Sequence, residues 1–393
     1  MANSASPRVV LAGNFIVLGL ALVLLAAPAS VRAADPDIPR LQVDAERGSI
    51  KQQLELASAY FAGRGVSQDE KRAAYWFEKA ANAGDPGAQA QIGYFYEAGI
   101  GVSRDPAQAA RWFQRAVAGG LISAKVNLGV AYLLGEGVKK DPAMAEDLFR
   151  RAFAQGNGMA ACYLGEMYSL GTGVERDEAA GEHWYEAGVK LHDARAEFQL
   201  ASLFWQRQKN PAEVKRSVKL LRESSAGGLV AAKHQLGVIL VKHPELAESP
   251  KESVGLLKEA AEAGEWRSSI ALGLMSRDGM AGVSVDPKVA YYHYRVAALQ
   301  GGKEALQVIA HELDAISGRL GPEQTAAIDA DAKAWFADHH LALNFVRKDG
   351  GKWKEYPVYG VVNPDAGLHA GRLLPTNPSA GYLGEPPRRL SVN

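Results

Sequence analysis

His311 is followed directly by Glu312, the opening of the His-Glu-x-x-His pattern in which two imidazoles one helical turn apart hold zinc and the carboxylate serves as base. Position 315 is Ala, so the second imidazole is missing. His339 and His340 are adjacent, and adjacent side chains diverge by about 100° on a helix, which is the wrong geometry for a shared metal. Cys162, the only cysteine, is the one thiol available as a nucleophile. A reactive thiolate needs a basic or electropositive neighbour, and Cys162 occupies a position that in equivalent stretches is Ala90, Val126, Phe198, His234 and Ile270, a series that fills space. Gly-x-Gly occurs repeatedly, but no copy ends in Gly-Lys-Ser or Gly-Lys-Thr as a phosphate cradle would. His293 stands where other stretches carry Trp, and is expected to be a packed core imidazole. No catalytic residue, metal ligand or cofactor is expected.

What those glycines do follows from their spacing. Gly63-Arg64-Gly65-Val66, Gly99-Ile100-Gly101-Val102, Gly135-Glu136-Gly137-Val138 and Gly171-Thr172-Gly173-Val174 recur at a constant displacement, as do Leu56-Ala57, Ile92-Gly93, Leu128-Gly129, Leu164-Gly165, Leu200-Ala201, Leu236-Gly237 and Leu272-Gly273. Such a period marks a repeat array. Each unit reads as two helices. Ala88, Ile92 and Tyr96 make an apolar stripe at helical period, with Gly93 beside it to admit a neighbour, and Gly99 sits where a left-handed C-cap is wanted.

Asp105-Pro106 opens the second helix, the carboxylate capping free N–H groups and Pro supplying a preset φ. Asp69, Asp141, Asp177, Ser249 and Asp286 hold the same place, with Asn210-Pro211 as an early start. Pairs such as Trp76-Phe77, Trp112-Phe113, Trp184-Tyr185 and Leu256-Leu257 follow, then small residues and a closing Gly. One such hairpin cannot bury its apolar face alone, so neighbours must stack.

These motifs resemble the Sel-one-like repeat, a relative of the tetratricopeptide repeat. The resemblance implies an all-α fold: a right-handed α/α superhelical solenoid of about seven 36-residue helix-turn-helix repeats over residues 50–302, plus a closing helix. The Gly-x-Gly-Val turn is absent from Trp205 to Pro211 and from Leu240 to Pro250, and is one residue longer at Gly279 to Val283. Residues 303–345 are expected to cap the array, with Asp329, Asp331, Lys333 and Asp338 facing solvent. Residues 346–393 are rich in Pro and Gly, and within them YPVYGVV (356–362) is the stretch able to add as a strand or dock.

At the other end, Arg8 precedes an apolar run from Val9 to Ala27, and Val31-Arg32-Ala33 has the small residues a signal peptidase reads. Residues 1–33 are therefore expected to be a cleaved secretory signal, with 34–49 as lead-in and a periplasmic or secreted product. An uncleaved inner-membrane anchor facing the periplasm is the alternative, since about 19 residues just span a bilayer. Lys plus Arg and Asp plus Glu are equal at 44 each, which gives no electrostatic footprint for nucleic acid.

What is left for function is a surface. The residue before each Leu-Gly is Glu55, Gln91, Asn127, Tyr163, Gln199, Gln235 and Ala271, mostly groups able to pair with peptide backbone. The expected partner-binding residues are Gln91, Asn127, Tyr163, Gln199 and Gln235, with Tyr94 as an exposed aromatic anchor; bonding between neighbouring repeats is the competing use of this column. The resemblance implies a non-enzymatic adaptor or scaffold for a protein or peptide, including regulation of an envelope complex. An accessory role on peptidoglycan or exopolysaccharide is the alternative, and the Pro-rich tail as the ligand is a third reading.

Overall fold

The computed structural model describes residues 36–207 and 210–343, with two short strands at 347–349 and 352–354. The apolar run, the expected cleavage point at Ala33 and the YPVYGVV stretch lie outside the described residues.

The seven units form as paired helices: α2 (Ile50–Ala62) with α3 (Glu70–Asn82), α4 (Pro86–Ala98) with α5 (Pro106–Ala118), α6 (Ile122–Leu134) with α7 (Pro142–Ala154), α8 (Gly158–Leu170) with α9 (Glu178–Val189), α10 (Ala194–Arg207) with α11 (Pro211–Ala226), α12 (Val230–Lys242) with α13 (Glu252–Glu262), and α14 (Trp266–Asp278) with the first part of α15 (Pro287–Leu320). Each packs on its sequence neighbours, giving an α-solenoid. Within α15, Gly302 leaves helical geometry at φ 55 and ψ -130, so the segment beyond it is a further first helix, against which α16 (Pro322–Leu343) closes the stack. Asp329 does not simply face solvent as expected: it turns to Arg295, Oδ1 to Nε 2.7 Å. Beyond α16, β1 (Arg347–Asp349) pairs antiparallel with β2 (Lys352–Lys354), Lys348 opposite Trp353.

The lead-in is itself helical. α1 (Ile38–Glu46) packs on α2 and buries Ala45, standing where a preceding unit would put its second helix. The Gln53 amide donates to Ala45 O at 3.0 Å, and one repeat later Gln89 donates to Ala81 O at 3.1 Å. Each adds a side-chain donor to a last-turn carbonyl that also accepts from Gly48 N or Gly84 N.

The turn residues act at two levels. Gly99 is a left-handed C-cap at φ 70, a region costly for residues with a Cβ. The second glycine sets the distance between units: a Cβ on Gly137 would lie 1.9 Å from Pro106 O, at the start of the previous unit's second helix. Asp69, Asp105, Asp141, Asp177, Asn210 and Asp286 all accept from backbone N–H groups as N-caps. Ser249 does not. With the glycine turn gone, α12 runs into a 3-10 turn (Pro244–Leu246) and α13 begins later, after Lys251; there the Glu252 carboxylate accepts from Glu248 N at 2.5 Å.

The core runs as a seam between paired helices, where each Leu-Gly glycine receives a large side chain from the second helix. Phe113 lies on Gly93, Phe149 on Gly129, Tyr185 on Gly165 and Tyr294 on Gly273. His293 is half-buried, and burial pushes its imidazole down to about 4.

Candidate binding groove

First helices of successive units touch each other, α8 with α10 and α12 with α14, while second helices of successive units make no comparably close contact among the described residues. The first helices therefore line the tighter side of the stack where units four and five, and six and seven, meet. Their side chains meet along a diagonal. Gln199 Nε2 donates to Glu166 Oε1 at 2.9 Å, and Ser202 Oγ donates to Gln235 Oε1 at 3.0 Å, both across 33 residues rather than a full repeat. For Gln199 and Gln235, then, the polar column bonds one unit to the next.

The other residues of that column take different places. Asn127 is 4% exposed, Tyr163 5% and Gln199 9%, whereas Gln91 and Gln235 are half-buried. Tyr94 is not the exposed anchor expected: it is 4% exposed, packed beside Phe95 at 6.3 Å between ring centroids. Tyr163 stacks on Phe149, centroids 5.1 Å apart and planes within 10°. Asn127 Oδ1 is shielded from solvent without a hydrogen-bond partner.

Two carboxyls missed from the sequence stand beside this column. Glu97, in the last turn of α4, is held up to about 8, chiefly by burial and next by the charge of Glu136, while Arg104 pulls it partly back. The carbonyl end of the helix adds no positive counterpart. Arg104 is committed elsewhere: its Nε donates to the main-chain oxygen of Glu97 at 3.0 Å, and its Nη2 lies 3.4 Å from Glu136 Oε2. Glu166, on α8, is raised to about 7 by burial, against the opposing Gln199 hydrogen bond and the charge of Arg195. Arg195 Nη1 lies 3.0 Å from Met159 Sδ.

The 33-residue diagonal also aligns Glu97, Val130 and Tyr163. The charges of Glu166, on the same helix, and of Glu97 both act on the Tyr163 hydroxyl. Glu97, Arg104 and Glu136 thus form one charged group in units two and three, and Glu166 with Arg195 another between units four and five. Cys162, one turn before Glu166, is buried, and burial with the nearby Glu166 charge pushes its thiol well up. It is poorly suited to nucleophilic work. No helix of the described residues is long and apolar enough to cross a membrane.

Comparison with known proteins agrees with this architecture. The Sel1 repeat family model matches residues 53–85, 86–121, 122–157, 158–193 and 267–302. The unmatched units between are those whose glycine turn is lost. No curated protein sequence matches the chain. Among solved structures, a Sel1 repeat protein from Oxalobacter formigenes is 25% identical with a TM-score of 0.53, covering 64% of this chain and 99% of its own. A protective antigen of uropathogenic Escherichia coli displaying an SLR fold is 22% identical with a TM-score of 0.39, covering 80% and 76%. A Sel1 repeat protein of Klebsiella pneumoniae is 22% identical with a TM-score of 0.35, covering 50% and 96%. Sel1 repeat proteins are generally protein-interaction scaffolds and typically not enzymes. With five matched repeats in a continuous stack of helical hairpins, residues 53–193 and 267–302 are Sel1 repeats within an α-solenoid.

Proposed function

We propose that this protein is an exported, periplasmic scaffold that holds a segment of a protein partner along its first-helix face and regulates an envelope complex. The observation that carries the reading is the first-helix face of units three and four, where Asn127 Oδ1 and Glu166 Oε2 are buried without hydrogen-bond partners. Stacked hairpins present such faces as extended binding surfaces. Gln91, Tyr94, Asn127, Tyr163, Gln199 and Gln235 belong to this face, the last two by way of bonds that set the spacing of units. Export rests on the apolar run after Arg8 and on Val31-Arg32-Ala33.

Crosslinking in intact cells, recovery of the tagged full-length chain and N-terminal sequencing of the bait test it. The expected result is a defined protein partner on a bait beginning at Ala34. Co-purifying glycan with no enriched protein would move the assignment to a polysaccharide-associated role.

A further inference from the structure

The second helices carry an exposed face of their own. α1, α3 and α5 occupy successive second-helix places, and Ala45 and Ala81, each accepting a Gln amide from the next helix, set their columns one repeat apart. In those columns Val43 precedes Lys79 and Arg115, and Tyr75 precedes Arg111. All are exposed, Val43 at 46% and Tyr75 at 52%. Lys71, one turn before Tyr75 on the same side of α3, is exposed as well.

Neutral groups hold the cations of this face. Arg115 lies over the Trp112 ring, 4.4 Å from its centroid, Lys79 over the Tyr75 ring at 5.4 Å, and Arg111 Nε donates to Gln108 Oε1 at 3.3 Å. Neither these three nor Lys71 meets a carboxylate among the described residues. α5 itself contains no acidic residue. In α3, Glu70 is half-buried and Glu78 accepts from the Tyr96 hydroxyl at 3.3 Å, while the cap residue Asp69 pairs with Arg72. One unit further on, the same columns hold Asp147 and Arg151, paired with each other at 3.2 Å. The uncompensated charge therefore stops at unit two.

We infer that this face docks an acidic segment of a protein partner, its carboxylates on Lys79, Arg111 and Arg115 and an apolar side chain against Tyr75 and Val43. The face belongs to the second helices, so docking here is independent of the first-helix groove. A guanidinium held over a ring loses little freedom on pairing with a carboxylate, whose oxygens fit its donor fork. Tyr and Arg are also the residue types that anchor protein interfaces. The patch is too short for a phosphate backbone, whose binders make about 6–10 contacts. An anionic membrane surface would meet the exposed carboxylate of Glu46 beside Val43, which accepts only from Gln42.

The test titrates the full-length chain with the blocked pentapeptides Ac-Glu-Glu-Leu-Glu-Glu-NH2, Ac-Gln-Gln-Leu-Gln-Gln-NH2 and Ac-Glu-Glu-Ser-Glu-Glu-NH2 by ligand-observed NMR. At about 50 mM NaCl the acidic leucine peptide is expected to bind about tenfold more tightly than the glutamine peptide, and more tightly than the serine peptide. At about 500 mM NaCl, with exposed charges screened, the preference for glutamate disappears. Arg111→Gln combined with Arg115→Gln should erase that preference, and Tyr75→Ser the preference for leucine, with helix content by circular dichroism unchanged. Asp147→Asn combined with Arg151→Gln removes the ion pair of unit three at constant net charge and should leave both preferences as in wild type. Equal binding of the glutamate and glutamine peptides overturns the docking face. So does a glutamate preference that survives the Arg111 and Arg115 changes, or that falls as far in the unit-three control. Vesicles of phosphatidylglycerol and phosphatidylcholine supply the last arm: capture by vesicles that the Arg111 and Arg115 changes abolish, with no peptide preference, overturns the protein partner in favour of a lipid surface.

Discussion

Gly165 lies directly under Tyr185, so close that a Cβ at position 165 would stand 2.4 Å from Cε1 of the ring. The helix-propensity penalty of glycine, about 1 kcal/mol against Ala, is outweighed there by approach of the second helix. Gly165→Ala should gain that propensity and lose more, since forcing extra volume into a packed seam costs about 1–3 kcal/mol. Gly255, in α13 with nothing within 4 Å of its would-be Cβ, should behave oppositely, Gly255→Ala stabilising by about 0.5–1 kcal/mol. Urea midpoints by circular dichroism decide it, and a rise for both variants would show that the aromatic contact does not hold the hairpin closed.

Asp141 caps α7 by accepting from Met144 N at 3.0 Å, and Asp141→Ala should cost about 1 kcal/mol. Ser249 aligns with it in sequence but caps nothing, so Ser249→Ala should stay within about 0.5 kcal/mol. Thermal denaturation of the two variants side by side checks the pair; equal losses would mean that α13 is capped from Ser249 in solution.

The contrast between those residues shows what a repeat sequence conveys. Columns displaced by a full repeat were legible because each reports one contact made again in every unit, as Gly93 with Phe113 and Gly165 with Tyr185. The polar first-helix face was not legible, because its contacts follow a diagonal shorter than the repeat: Gln199 meets Glu166, and Tyr163 feels Glu97, only once neighbouring units have slid past each other. Glu97 and Glu166 do not even share a column. The helix α1 was missed for a related reason, since it has no counterpart in the period, although Gln53, matching Gln89, marked a helix end behind it. Tyr94 was misjudged because an aromatic beside a polar column can belong to the core, and here it packs in a cluster drawn from the lead-in and units one and two.

Cys162 sits on that covered face, with burial and the Glu166 charge both disfavouring its thiolate. A thiol reagent such as 5,5′-dithiobis(2-nitrobenzoate) should therefore leave the native chain unlabelled on the timescale that labels the urea-unfolded chain completely. Rapid native labelling would show units three to five opening freely, and would return the thiol to consideration as a reactive group.

The same carboxyls make stability depend on pH in an uncommon direction. Glu97 is raised from 4.5 to about 8 and Glu166 from 4.5 to about 7, so between those limits the folded chain holds protons that the unfolded chain has released. Stability from these two groups is fully present below the unfolded value and is lost as pH rises toward their folded values. The slope per group reaches about 1.4 kcal/mol per pH unit at most. Glu97→Gln and Glu166→Gln mimic the protonated form; each should flatten the fall in urea midpoint between pH 5 and pH 8 and leave the variant more stable than wild type at the upper end. A wild-type midpoint that climbs with pH through this window, or variants that fall in parallel with it, would mean that the carboxyls are already neutralised by positive charge within the chain.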